Sequence, residues 1–183
     1  MRKIWNLAFV LAALFLGLFV YSIYKQARNT DIFKSPQIGT EIANFKLYDI
    51  NGESVSSDQL KQDASKIKII NIFASWCRVC RNSNDFLISI SKNTKIPIYG
   101  FAYNDKKNEL LRYLKYDKNP YEKVILINDF DLITKSLEIK YIPVSFIIDE
   151  NNIILARING PINFSNFNYF LDQYNKKNLV GKN

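Results

Sequence analysis

Asn71-Ile72-Phe73-Ala74-Ser75-Trp76-Cys77-Arg78-Val79-Cys80-Arg81 is the stretch on which the fold turns. It begins at the end of Ile67–Phe73, a β-branched apolar run of the kind that is buried on both faces of a sheet. Beyond Trp76, Val79, Phe86, Leu87 and Ile90 recur at helical spacing. A C-x-x-C placed where a buried strand turns into a helix has a mechanical use in redox chemistry. Residues i and i+3 share one helix face, and that spacing suits a disulfide with Cα atoms about 5.5 Å apart. Cys77 would open the helix, where free N–H groups and the macrodipole favour a thiolate. Cys80 would lie one turn in, buried and less reactive. On this reading Cys77 attacks and Cys80 resolves. A plain structural cysteine pair uses the same two residues and stays open. Arg78 and Arg81 bring positive charge close by, and read equally well as solvated helix residues.

Those two cysteines are the only ones among 183 residues, and the chain has no histidine. No Ser-His-Asp triad, Cys-His pair or His-ligated metal site can therefore form. A closed zinc site normally takes four Cys or His ligands, so no metal is expected. Covalent haem attachment needs a histidine after the second cysteine, where this chain has Arg81. No cofactor is expected beyond a redox-active Cys77–Cys80 pair. The net charge of +8 comes from scattered lysines beside Asp, Glu or Asn and forms no basic stripe. Nucleic acid is therefore not an expected partner.

Upstream, Arg2 and Lys3 precede a run from Ile4 to Tyr24 whose clearly polar members are Asn6 and Ser22. A spanning helix needs about 20 apolar residues. Tyr-Ser-Ile-Tyr-Lys after Val20 is a poor cleavage site, so the run reads as an uncleaved anchor. Trp5, Tyr21 and Tyr24 would sit at the two interfaces. The run is apolar all round rather than striped, which disfavours a buried core helix. Basic residues mildly favour a cytoplasmic N-terminus. The expected organisation is an anchor over residues 1–25, a polar linker over 26–40 with Pro36 and Gly39, and one domain over 41–178.

Within that domain, Phe45–Tyr48 and Glu53–Val55 flank Asn51-Gly52, a strong hairpin signal. Ser57 is the expected N-cap of a short helix through Leu60. Strands are expected over Ile96–Tyr103 and Val124–Ile127, and helices over Asn108–Tyr116 and Leu132–Leu137. Val144–Ile148 and Ile153–Ile158 read as a second hairpin around Asp149–Asn152. Phe167, Phe170, Leu171 and Tyr174 mark a final helix. The order βαβ, helix, hairpin, helix implies an α/β fold with a mixed central sheet and helices on both faces.

Trp76-Cys77-x-x-Cys80 after an apolar strand, followed downstream by Tyr141-Ile142-Pro143-Val144-Ser145-Phe146-Ile147-Ile148-Asp149, resembles the thioredoxin superfamily. The resemblance makes Pro143 a cis-proline and gives Ile142 backbone groups that pair with substrate. It makes Trp76 a shield for the disulfide and part of the substrate surface, rather than a core aromatic. Ile98–Asp105, Leu111–Leu114 and Asn119-Pro120-Tyr121 follow in order between the two active-site stretches. Together with the anchor, they resemble the membrane-anchored thiol:disulfide interchange proteins of cytochrome c maturation, of the DsbE or CcmG type and TlpA/ResA-like. The similarity runs from about Ile38 to Gly160. The superfamily prototype has a buried Asp where this chain has Asn71, which cannot serve as a general base. A Glu common three residues after the second cysteine is Ser83 here. The intervening dipeptide Arg78-Val79 lacks the frequent Pro, and Tyr141 replaces a Gly.

The resemblance implies an extracytoplasmic dithiol reductase, held in the inner membrane by a single pass with its domain on the periplasmic side. Apocytochrome c, or another disulfide-bearing protein, would be the substrate. A membrane thiol reductant of the DsbD/CcdA type would regenerate the dithiol. Two alternatives keep the same residues: a general disulfide oxidase or isomerase, and a non-enzymatic module that holds apocytochrome and has a structural disulfide.

Overall fold

The computed structural model describes the backbone of residues 2–63 and 65–180, and the side chains of 6, 10–24, 32–63 and 65–177. The elements in chain order are α1 (Arg2–Thr30), β1 (Lys46–Tyr48), β2 (Ser54–Ser56), α2 (Ser57–Gln62), β3 (Ile67–Phe73), α3 (Asn84–Asn93), β4 (Ile98–Tyr103), α4 (Lys107–Tyr116), β5 (Lys123–Ile127), α5 (Leu132–Ser136), β6 (Val144–Asp149), β7 (Ile154–Asn159) and α6 (Phe164–Val180).

Both hairpins arise from one local device. Asp49 Oδ1 accepts from the N–H groups of Asn51 and Glu53, and Asp149 Oδ1 accepts from those of Asn151 and Ile153. An Asp side chain that bonds its own backbone two residues on folds the chain back on itself. Gly52 completes the first turn at φ +85°, a left-handed conformation that glycine adopts without a Cβ clash. The small hairpin β1–β2 leads into α2. Its N-cap is Ser56, not the expected Ser57. Only from Ser56 does Gln59 fall three residues on, where its side chain reaches back to the cap N–H and closes a capping box. Ser57 is instead buried and donates to Asn44 Oδ1.

The main sheet runs β5-β4-β3-β6-β7. β3, β4 and β5 are parallel, joined by α3 and α4, whereas β6 and β7 are antiparallel to their neighbours. β4 starts at Ile98 rather than Ile96, after Pro97, which has no N–H to give a ladder. Every residue of β3 is buried. Its alternation divides the core: Ile67, Ile69 and Phe73 face α3, α4 and α6, while Ile70 and Ile72 face α2 and α5. Each fully buried Ile contributes about 1.5–3 kcal/mol by leaving water. Lys68 interrupts the apolar run; its ammonium reaches past the sheet to the carbonyls of Asp149 and Glu150.

Residues 32–40, expected as linker, lie against the domain: Ile32 and Gln37 are buried, and Gly39 and Ile154 exchange backbone bonds with their surroundings at the β7 edge. Phe33 meets the rings of Tyr169 and Phe170. Among the described residues, no helix is long and apolar enough to cross a membrane. The described side chains of α1 from Val10 to Tyr24 are all exposed. Those of Arg2, Lys3, Trp5, Lys25 and Arg28 lie outside the described residues.

Gly100 on β4 admits Tyr121 to the core. A Cβ there would stand 2.8 Å from Tyr121 Cγ and 3.0 Å from Phe73 Cε1. Gly100→Ala must therefore displace a ring packed in the sheet interior. A loss of about 1–3 kcal/mol is expected by urea denaturation, the usual range for an overpacked core.

Candidate active site

Chain direction brings the cysteines to the end of β3. Ala74 and Ser75 leave the strand, and Cys77 then caps a 3₁₀ turn over Arg78–Ser83 that continues into α3. This turn replaces the α-helix expected straight after Trp76. It takes Val79 off the buried stripe and leaves it exposed. Cys77 and Cys80 are joined as a disulfide with Cα atoms 5.4 Å apart. The expected difference in burial is slight, since Cys77 is 7 % exposed and Cys80 4 %. They differ in polar surroundings: the Cys80 N–H points at Cys77 Sγ, 3.2 Å away.

The β6 register places the second active-site stretch beside the first. Ile72 pairs with Val144 and Asn71 with Ser145, so the next residue upstream, Pro143, falls level with Phe73. The Ile142–Pro143 peptide bond is cis, and Ile142 packs against the cluster that contains both cysteines. Tyr141 is exposed beside it. Trp76 is 61 % exposed and so is no core aromatic; its indole N–H donates to Asn104 O at 3.2 Å.

Asn71 lies on the same sheet face as the cysteines, within a buried polar chain. Its Nδ2 donates to Ser145 Oγ and its Oδ1 accepts from the Tyr121 hydroxyl, both at 2.9 Å. Tyr121 stacks on Phe73 with ring centroids 4.7 Å apart. Burial pushes the Tyr121 phenol well above its ordinary range, so it stays a neutral donor. Ser83 is buried and its Oγ accepts from the Ile162 N–H at 3.1 Å, a bond that joins the 3₁₀ turn to the entry of α6. Arg78 is exposed. Arg81 pairs with Asp117 and lies over the Tyr113 ring at 5.0 Å.

Sequence reading missed Asp105. Its carboxylate accepts from the Ser75 N–H at 2.5 Å and from Ser75 Oγ at 2.7 Å. It thereby clamps the segment between β3 and the cysteines. Asn104, at φ +45°, turns the carbonyl that receives Trp76. Asp129 holds this loop from outside through the Tyr103 hydroxyl and Asn104 Nδ2. Asp105 is 30 residues from Ser75, and only the β3–β4 register makes them neighbours. Beside Trp76 lies a groove of about 680 Å³ walled by Arg81, Asp105, Arg112, Tyr113 and Tyr116. Among the described residues, no group of His, Cys, Asp or Glu could hold a metal ion.

No family model matches the chain. It is 28 % identical over 157 residues to the thiol:disulfide interchange protein DsbE of Escherichia coli K12, covering 82 % of this chain and 83 % of that one. It is 27 % identical over 184 residues to the protein of the same name from Vibrio cholerae, covering 98 % and 97 %. The thioredoxin domain of a Bacteroides vulgatus thiol-disulfide oxidoreductase superposes with a TM-score of 0.63 at 20 % identity, over 76 % of this chain and 99 % of that one. A thioredoxin-family thiol:disulfide interchange protein from Chlorobium tepidum gives 0.59 at 24 % identity, over 74 % and 95 %. The chain is thus similar to thiol:disulfide interchange proteins of the DsbE type. Its fold is the thioredoxin-like mixed sheet expected from the motif order, and its chemistry is thiol–disulfide interchange at a C-x-x-C.

Substitutions at two residues test the supports of this site. Tyr121→Phe removes the only donor to Asn71 Oδ1 among the described residues and leaves a buried acceptor unmatched; a loss of about 1–3 kcal/mol is expected by urea denaturation. Asp105→Ala strips two hydrogen bonds from Ser75, whereas Asp105→Asn keeps an acceptor for the Ser75 N–H. In a Trp5→Phe background, Asp105→Ala should alter Trp76 fluorescence and lower stability by about 1–2 kcal/mol, and Asp105→Asn should restore most of both.

Proposed function

We propose that this chain is a membrane-tethered dithiol reductase that reduces the haem-binding cysteines of apocytochrome c before haem is attached. The observation that carries this reading is the Cys77–Cys80 disulfide, set at the end of β3 beside exposed Trp76 and the Ile142–Pro143 segment. In the reduced protein the Cys77 thiolate attacks a substrate disulfide. One substrate sulfur leaves as thiolate and the other joins Cys77 in a mixed disulfide. Cys80 then attacks Cys77 Sγ, expels the second substrate thiolate and closes the Cys77–Cys80 bond. Two electrons pass to the substrate, and its two thiolates take protons from solvent. The N–H of Cys80, aimed at Cys77 Sγ, favours negative charge on that sulfur whenever the bond is open.

Trp76, Ile142 and Pro143 form the surface that receives the substrate chain. Asn71 supplies a polar but proton-inert floor on the cysteine face, and Ser83 fixes the 3₁₀ turn rather than relaying protons. Arg78 and Arg81 add positive charge beside the thiols. The uncharged run from Ile4 to Tyr24 and the exposure of every described side chain in α1 support an N-terminal anchor, with the domain on the periplasmic side. The dithiol would be regenerated by a membrane thiol protein of the DsbD/CcdA type.

The test uses the reduced full chain in detergent and a disulfide-bonded C-x-x-C-His peptide. The wild type should reduce it, Cys77→Ser should be inert, and Cys80→Ser should accumulate a Cys77–peptide mixed disulfide. Activity in Cys77→Ser would overturn the mechanism. Equilibration with glutathione should give a reducing couple; a strongly oxidising one would point to disulfide donation instead.

A further inference from the structure

Arg157 on β7 is a buried cation that the thiol chemistry does not use. Its Nε donates to Asn159 Oδ1 at 3.0 Å. Nη1 donates to Gln37 Oε1 at 3.2 Å and Leu137 O at 3.0 Å, and Nη2 to Glu138 O at 3.2 Å. Its guanidinium lies 5.2 Å over the ring of Phe146, its cross-strand neighbour on β6. All of these hydrogen-bond acceptors are carbonyl or amide oxygens, none a carboxylate. Burying a charge is costly, and for stability alone an apolar residue of similar volume often does as well. A planar guanidinium does something an apolar residue cannot: its fixed fork sets the relative position of several chain segments.

The segments held here share a purpose. Leu137 and Glu138 follow α5, and Glu138 adopts φ +48°, a left-handed conformation with a cost for any residue but glycine. Ile139–Pro143 follow directly and lead into β6, which carries Phe146. Arg157 therefore pins both the entry to this loop and the strand that receives it. Gln37 adds the third segment, residues 32–40, which connects α1 to the domain. A groove of about 310 Å³ lies between Ser35 and Pro36 on one side and Lys140 and Tyr141 on the other, with Arg157 among its lining residues. Arg157 is on the sheet face opposite the cysteines, so any effect on the reaction passes through the loop.

We infer that Arg157 is a positioning residue for the substrate-binding loop, holding Ile142 where a substrate backbone can pair beside Cys77, and that Gln37 enlists the segment nearest the anchor in the same task. This rests on the reading of Ile142–Pro143 as the substrate-receiving stretch. A small thiol that reacts with the disulfide needs no such pairing, and that difference separates positioning from general support.

The experiment compares wild type, Arg157→Lys and Gln37→Leu as full chains in detergent. Each is assayed for kcat and KM with a disulfide-bonded C-x-x-C-His peptide and with a peptide of scrambled sequence. Each is also assayed for the rate at which dithiothreitol opens Cys77–Cys80. Arg157→Lys should raise KM for both peptides about tenfold, a modest loss for a displaced reacting partner, and leave the dithiothreitol rate within about twofold of wild type. Gln37→Leu, which keeps the cation, should shift KM in the same direction by a smaller factor. An unchanged KM, or peptide and dithiothreitol rates that fall together, overturns the inference. If Arg157→Lys does not fold, Gln37→Leu decides by the same KM criterion. A wild type that reduces the scrambled peptide as well as C-x-x-C-His refutes the apocytochrome preference alone. A wild type that reacts with dithiothreitol but with neither peptide refutes both.

Discussion

β3 takes backbone hydrogen bonds from β4 on one side and β6 on the other, and the whole site hangs from its last residue. A strand buried along its length has no water to satisfy its N–H and C=O groups, so both ladders are obligatory. Their registers then fix what stands at the strand's exit. Pairing with β6 brings Pro143 level with Phe73. Pairing with β4 sets Phe73 opposite Ala102, so that Asn104 and Asp105 emerge beside Ser75 and Trp76. A slip of one residue in either ladder would turn the apolar set of β3 to the wrong faces and separate the two active-site stretches. Side chains add a lock at each point. Asp105 grips Ser75 on one flank, and Ile142 packs on the cysteine cluster from the other.

The face beneath the cysteines carries a buried polar line, Tyr121–Asn71–Ser145. The three groups satisfy one another, which is what allows them to be buried. Asn71 both donates and accepts, and a carboxylate there could not donate to Ser145 when ionised. The line therefore supplies hydrogen-bonding order without a titrating group. Gly100 leaves the space in which the Tyr121 ring reaches Asn71, so a glycine on a neighbouring strand is part of the same arrangement.

Much of this was legible in the residues. The run Ile67–Phe73, the Asp-led turns at Asp49 and Asp149, and the spacing of Phe86, Leu87 and Ile90 carry local signals strong enough to name strand, hairpins and helix. The chemistry of the C-x-x-C is written in adjacent residues, whereas the Ile142-Pro143 stretch is legible only through its resemblance to the thioredoxin superfamily's cis-proline segment. Errors fell where two local signals compete. Ser56 and Ser57 both qualify as a cap, and the reach of Gln59 decides between them. The 3₁₀ turn after Cys77 is set by backbone bonding such as Cys80 N–H to Cys77 O, which the apolar spacing does not reveal, and it leaves Val79 exposed.

Sequence alone thus narrowed the chemistry: two cysteines at i and i+3 and no histidine leave thiol–disulfide interchange or a plain structural pair. It also determined the order of strands and helices, because hydrophobic period and turn residues act over a few neighbours. Only the tertiary structure decided which distant residues serve the site. Asp105, Tyr121 and Arg157 lie 30, 50 and 120 positions from their partners Ser75, Asn71 and Gln37, and nothing in the residues around them marks the pairing. Such bonds form when sheet register and helix packing bring far parts of the chain within hydrogen-bond reach, and that reach is a property of the folded core rather than of any stretch of sequence.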